Sequence, residues 1–131
     1  MLYHYTCHHG RRGIGFSGFI VPTPSLWGLP LVWLTDMRPP GREALGLTSH
    51  MLDCDRLAYC YKVDAPLGVE PWLESRARAD APLLSVLMLE QAPGVDPRRW
   101  FVSTARQFGA LDRHYGLQFR RDWGANAGAT P

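Results

Sequence analysis

Lysine is nearly missing from this 131-residue chain: Lys62 stands alone against thirteen arginines. A net charge of +2 is too small to argue for nucleic-acid binding by itself. Cysteine is scarce as well. Cys7, Cys54 and Cys60 are odd in number and lack a C-x2-C spacing, which argues against a disulfide framework and fits a reducing compartment. No run approaches the roughly 18 apolar residues that a membrane helix needs. No charged segment followed by a long apolar stretch opens the chain. The expectation is a cytoplasmic protein without a membrane segment. An internal repeat and a glycine-rich phosphate loop are also absent.

What is present describes a globular chain of one-domain size, 46% hydrophobic and 20% charged. Thirteen glycines and eleven prolines predict frequent loops and short elements. The arginine bias is compatible with phosphate-bearing ligands, because a guanidinium meets phosphate as a planar fork. Codon usage in a GC-rich genome accounts for the same bias. Residues 1–123 are expected to form one domain, and the small, polar stretch 124–131 a flexible tail.

Alternation and aromatic content predict a strand over Leu2–Thr6, then a short helix over His8–Gly15 with Thr6 as its N-cap. Phe19–Val21 reads as a second short strand or extended segment and Pro22–Pro30, with its prolines, as a loop. Leu31–Thr35 is the clearest strand, ended by Asp36 and the Pro39-Pro40-Gly41 turn. One helical turn is expected over Arg42–Leu47. Arg56–Val63 reads as a strand with one wetter face, Glu70–Arg78 and Pro82–Gln91 as helices. Arg99–Ser103 and Leu117–Trp123 complete the set as strands. Strands outnumber helices and are interleaved irregularly, so the expected class is α+β around a small split, mixed or antiparallel sheet.

Several side chains are candidates for chemistry. His4 points away from Tyr3 and Tyr5 in a strand, so it can face a cleft, with Thr6 presenting its hydroxyl on the same side. Such a pair suits ribose hydroxyls or an amide; a surface or structurally bonded histidine is the competing account. Trp33, with Thr35 on the same side, offers a stacking wall for a flat ring, or is simply core. Glu90, beside the apolar run Leu83–Leu89, is the candidate base or cation-stabilising acid, or a solvated helix end. Cys7-His8-His9, with His50, Cys54, Cys60 and His114 elsewhere, lacks paired zinc-ligand spacing, and no metal is expected. Asp53 and Asp55, at i and i+2, suit a divalent ion but are also what a turn before a strand contains. Arg98, Arg99 and Trp100 make a candidate phosphate-and-stacking patch, extended by Arg106, Arg113, Arg120 and Arg121.

Tyr3-His4-Tyr5-Thr6, Gly18-Phe19-Ile20-Val21-Pro22 and Val32-Trp33-Leu34-Thr35-Asp36 stand in an order that resembles the opening of ADP-ribosyltransferase-like domains. The opening is also similar to the DNA-targeting toxin branch of that superfamily. The resemblance covers residues 3–36, about a quarter of the chain. It implies an NAD-binding enzyme that breaks the nicotinamide–ribose bond. The acceptor, whether protein, nucleic acid, small molecule or water, is left open. Carried over, His4 binds ribose with Tyr5 and Thr6 beside it, Trp33 replaces a stacking tyrosine beside Thr35, and Glu90 is the nearest match to the catalytic acid. The family's acid opens a late strand, whereas Glu90 ends a predicted helix. Two other classes stand beside this reading: a non-catalytic nucleotide- or partner-binding protein using the same cleft, and a small metal-dependent nuclease using Asp53 and Asp55.

Overall fold

The computed structural model describes residues 1–25, 28–41, 44–45, 56–78 and 83–114. In chain order the elements are β1 (Leu2–Thr6), α1 (His8–Ser17), β2 (Thr23–Ser25), β3 (Gly28–Thr35), β4 (Tyr59–Val63) and β5 (Glu70–Pro71). Then come α2 (Trp72–Arg78), α3 (Leu83–Glu90), a 3-10 turn over Pro97–Arg99, β6 (Trp100–Ser103) and β7 (Ala110–His114). The fold is α+β. Its sheet runs β5-β6-β3-β1-β4-β7, with β2 paired to β3 off this path. Every described pairing is antiparallel, so the mixed alternative is not realised.

The joint between β1 and β3 is the weak seam of the sheet. β1 pairs with β4 along all five residues, from Leu2↔Val63 to Thr6↔Tyr59. With β3 it shares the single register pair Tyr3↔Thr35. The early part of β3 pairs instead with β2, at Thr23↔Leu31 and Ser25↔Gly28. The expected split in the sheet is thus a local divergence of two strands that remain joined at one end.

Pleat alternation sends alternate residues to opposite faces, and each face has its own cover. Val32, Leu34, Tyr61 and Val63 pack with Ile14 of α1 and with Ile20. Leu31, Trp100 and Val102 pack with Trp72 of α2 and Val86 of α3, and Trp33 joins them. Cys60, Tyr61 and Val63 of β4 are buried, while Lys62, on the same face as Cys60, keeps a side chain 37% exposed, so the wetter face expected of this strand is limited to Lys62. That strand also starts at Tyr59, because Arg56–Ala58 form a turn.

Other expectations shift by a few residues, each for a local reason. Cys7, not Thr6, is the N-cap of α1, because Thr6 is still bound into the β1–β4 ladder. The helix runs on to Ser17 and stops at Gly18, whose φ of 80° is left-handed and suits glycine. Phe19–Val21 is not a strand; Ile20 alone forms a bridge, with Gln107. The proline-rich segment expected as a loop contributes β2 and the start of β3. β2 lies off the main path of the sheet, and proline is tolerated in edge strands. Glu70–Pro71 pair with β6 before α2 begins at Trp72. β7 is a strand that the sequence pattern over Ala110–His114 does not predict. The readings over Arg42–Leu47, Leu117–Trp123 and the 124–131 tail lie wholly or mostly outside the described residues. Among the described residues no helix is long and apolar enough to cross a membrane.

Gln107 anchors the far side of the fold. It is fully buried, accepts from Leu67 N at 2.7 Å, and donates to Leu67 O at 2.6 Å and Ala105 O at 3.1 Å. Its backbone meanwhile exchanges two hydrogen bonds with Ile20. One side chain therefore ties the β4–β5 connection to the segment that follows β6.

Candidate functional site

The divergence of β1 from β3 opens a cleft of about 610 Å³, lined by Tyr3–Cys7, Leu31–Thr35 and one side of α1. This lies within the roughly 300–1,000 Å³ typical of small-molecule sites. The helix side is built from Gly10, Gly13, Ile14 and Ser17. Gly10 is there for a steric reason: a Cβ at that position would fall 1.8 Å from Thr6 Oγ1. Only glycine lets α1 settle this closely against the end of β1.

His4 occupies the seam itself. Its Nδ1 lies 2.8 Å from the carbonyl oxygen of Trp33. A carbonyl oxygen only accepts, so Nδ1 carries the proton. Burial lowers the imidazole below its usual range, partly offset by the Trp33 carbonyl, which favours the charged form. The neutral ring then has a lone pair on Nε2. Among the described residues no group bonds that nitrogen, and the half-buried ring lines the cleft. His4 is thus both structurally bonded and able to accept a hydrogen bond from a ligand.

No family model, curated protein or solved structure matches this chain.

The sequence candidates fall on two faces of the sheet. His4 and Thr6 pair with Tyr61 and Tyr59 and lie on the α1 side. Tyr5, Trp33 and Thr35 project to the other side, where Tyr5 donates its hydroxyl to Met37 O at 2.9 Å. Trp33 rests against Trp72, with ring centroids 4.8 Å apart, and edge-on to Trp100 at 6.1 Å. Trp72 and Trp100 each donate their indole N–H, to Glu90 and to Ala44 O. The Trp33 N–H has no acceptor among the described residues, and the half-buried ring lines the cleft. Thr35 is buried, and its hydroxyl accepts from Met37 N at 3.2 Å in a local turn. The His4 and Trp33 rings are therefore not one continuous wall; they meet through the Trp33 carbonyl.

Glu90 stands apart. Its Oε2 accepts from Trp72 Nε1 at 3.1 Å, and its Oε1 pairs with Arg76. Both oxygens are thus engaged between α2 and α3, and the residue does not line the cleft, although Leu89 does. No carboxylate lines the cleft among the described residues. The charged residue that does is Arg56, in the turn before β4.

The remaining candidates do not converge. Cys7 Sγ lies 3.7 Å from His9 Nδ1, and the His8 and His9 ring centroids are 4.1 Å apart with the planes tilted by 33°. Among the described residues no group of three or more His, Cys, Asp or Glu comes together. Asp53, Asp55, His50 and Cys54 lie outside the described residues. Among the described residues the arginine–tryptophan patch is not formed: Arg98 pairs with Asp96, Arg99 with Asp36 at 2.5 Å, and Trp100 is buried, while Arg120 and Arg121 lie outside the described residues. Arg106 lies over the Phe19 ring at 4.0 Å.

Sequence reasoning missed Arg56 and the glycine side of α1. Glycine at positions 10 and 13 of a predicted helix was the available signal, because helix-interior glycine costs about 1 kcal/mol and asks for a reason. Arg56 carried no signal: nothing local distinguishes it from a solvated arginine.

Proposed function

We propose that this chain binds NAD in the β1–β3 cleft as an ADP-ribosyltransferase-like domain. The observation that carries the reading is the His4–Trp33 bond. It commits Nδ1 as donor and leaves Nε2 as an acceptor in a cleft, which suits a ribose hydroxyl. Thr6 on the same face adds a hydroxyl, and the Trp33 indole edge adds a donor. Breaking the nicotinamide–ribose bond places positive charge on the sugar, and a fixed carboxylate stabilises that charge. Calorimetry with NAD tests the binding: the wild type binds saturably and folded His4→Ala does not. Equal affinity in the two proteins rejects the assignment.

A second reading, nucleotide binding without transfer, is favoured by the position of Glu90. Its carboxylate is occupied by Trp72 and Arg76 away from the cleft lining. Assaying released nicotinamide, with protein, nucleic-acid and small-molecule acceptors supplied, separates the readings. Release supports transfer or hydrolysis, and binding without release supports the second.

A further inference from the structure

We infer that Arg56 is the phosphate anchor of the cleft, and that a dinucleotide lies with its phosphates at the Thr6 end. The inference rests on the NAD reading and extends it to a residue and an orientation.

Register places the two ends of the cleft. Tyr3, Thr35 and Trp100 share one level, through Tyr3↔Thr35 and Thr35↔Trp100. Thr6 pairs with Tyr59, and the turn carrying Arg56 leads into that residue from the same end. From Tyr3 to Thr6 is three strand positions, about 10 Å at the usual rise. One end of the cleft is therefore aromatic and buried, and the other carries a guanidinium.

The charge pattern selects the ligand class. Arg56 is exposed, lines the cleft, and has no ion-pair or hydrogen-bond partner among the described residues. Other arginines of this chain are engaged: Arg38 with Asp112, Arg76 with Glu90, Arg98 with Asp96 and Arg99 with Asp36. With no carboxylate among the described lining residues, the field in the cleft favours an anion. A guanidinium meets phosphate oxygens in a bidentate fork, and the bond is charge-assisted. His4, between the two ends, is left to the ribose.

The test is titration of ADP-ribose and NAD into wild type, Arg56→Gln and Arg56→Lys at several salt concentrations. Arg56→Gln is expected to weaken both ligands by about tenfold or more and to flatten the salt dependence, with Arg56→Lys in between. Thermal melts confirm that the exposed substitutions leave the fold intact. Unchanged affinity in Arg56→Gln, or a loss with an unchanged salt slope, overturns the inference and leaves the NAD reading standing. Failure of the wild type to bind either ligand overturns both.

Discussion

The Trp33 carbonyl and the His4 imidazole are joined across the seam between β3 and β1 by a 2.8 Å hydrogen bond, beside the register pair Tyr3↔Thr35 of those strands. A side chain thus bridges the strands where the ladder stops, and the same ring lines the cleft that the divergence creates. Under the proposed reading, holding the seam and meeting a ligand are divided between the two nitrogens of one imidazole.

This arrangement has a pH signature. Burial lowers the folded-state pKa of His4 below its ordinary 6.5. The unfolded chain then binds more protons than the folded one in the interval between the two values. The His4 contribution is fully present above pH 6.5 and is lost as pH falls toward the folded-state value. Chemical denaturation from pH 8 to pH 5 should show a steeper loss of stability for wild type than for His4→Gln. Parallel curves would remove the lowered pKa from the account.

Glu90 is predicted to act through the fold. Glu90→Ala strands the N–H of Trp72, a residue only 1% exposed, and should cost about 1–3 kcal/mol. Glu90→Gln keeps an acceptor for that N–H and should cost less. Neither should alter NAD affinity, read by calorimetry. Loss of nicotinamide release in a fully stable Glu90→Gln protein would instead make the residue catalytic.

Two glycines of α1 should respond in opposite directions. Gly15→Ala meets no atom within 4 Å and should stabilise by about 0.5–1 kcal/mol through backbone entropy. Gly10→Ala drives a methyl into Thr6 and should destabilise by about 1–3 kcal/mol. Urea midpoints measure both, and adding Thr6→Ala should recover part of the Gly10→Ala loss.

Gln107→Leu should be among the costly substitutions, at about 3 kcal/mol. It leaves the Leu67 N–H without its acceptor and Leu67 O and Ala105 O without their donor. Amide exchange should show faster opening at Leu67 than in the β1–β4 ladder.

Much of the fold was legible locally. β1, the core of β3 and α3 follow from alternation, β-branched and aromatic content, and apolar runs, which act over a few residues. β2 was hidden by Pro24 and the prolines around it, and β7 by a segment with no clear alternation; both are defined by the strand beside them. For the site, pattern alone put His4 and Thr6 on one face of β1 and Trp33 and Thr35 on one face of β3. It could not say how those faces align. Strand register sent the His4 and Trp33 side chains to opposite sides of the sheet and left only a carbonyl between them. Helix packing turned Glu90 toward Trp72 and Arg76, and the turn before β4 brought Arg56 to the cleft. Side-chain direction within an element is set by backbone geometry, which sequence determines. Which elements face one another depends on contacts between residues far apart in the chain, and only the tertiary structure decided those.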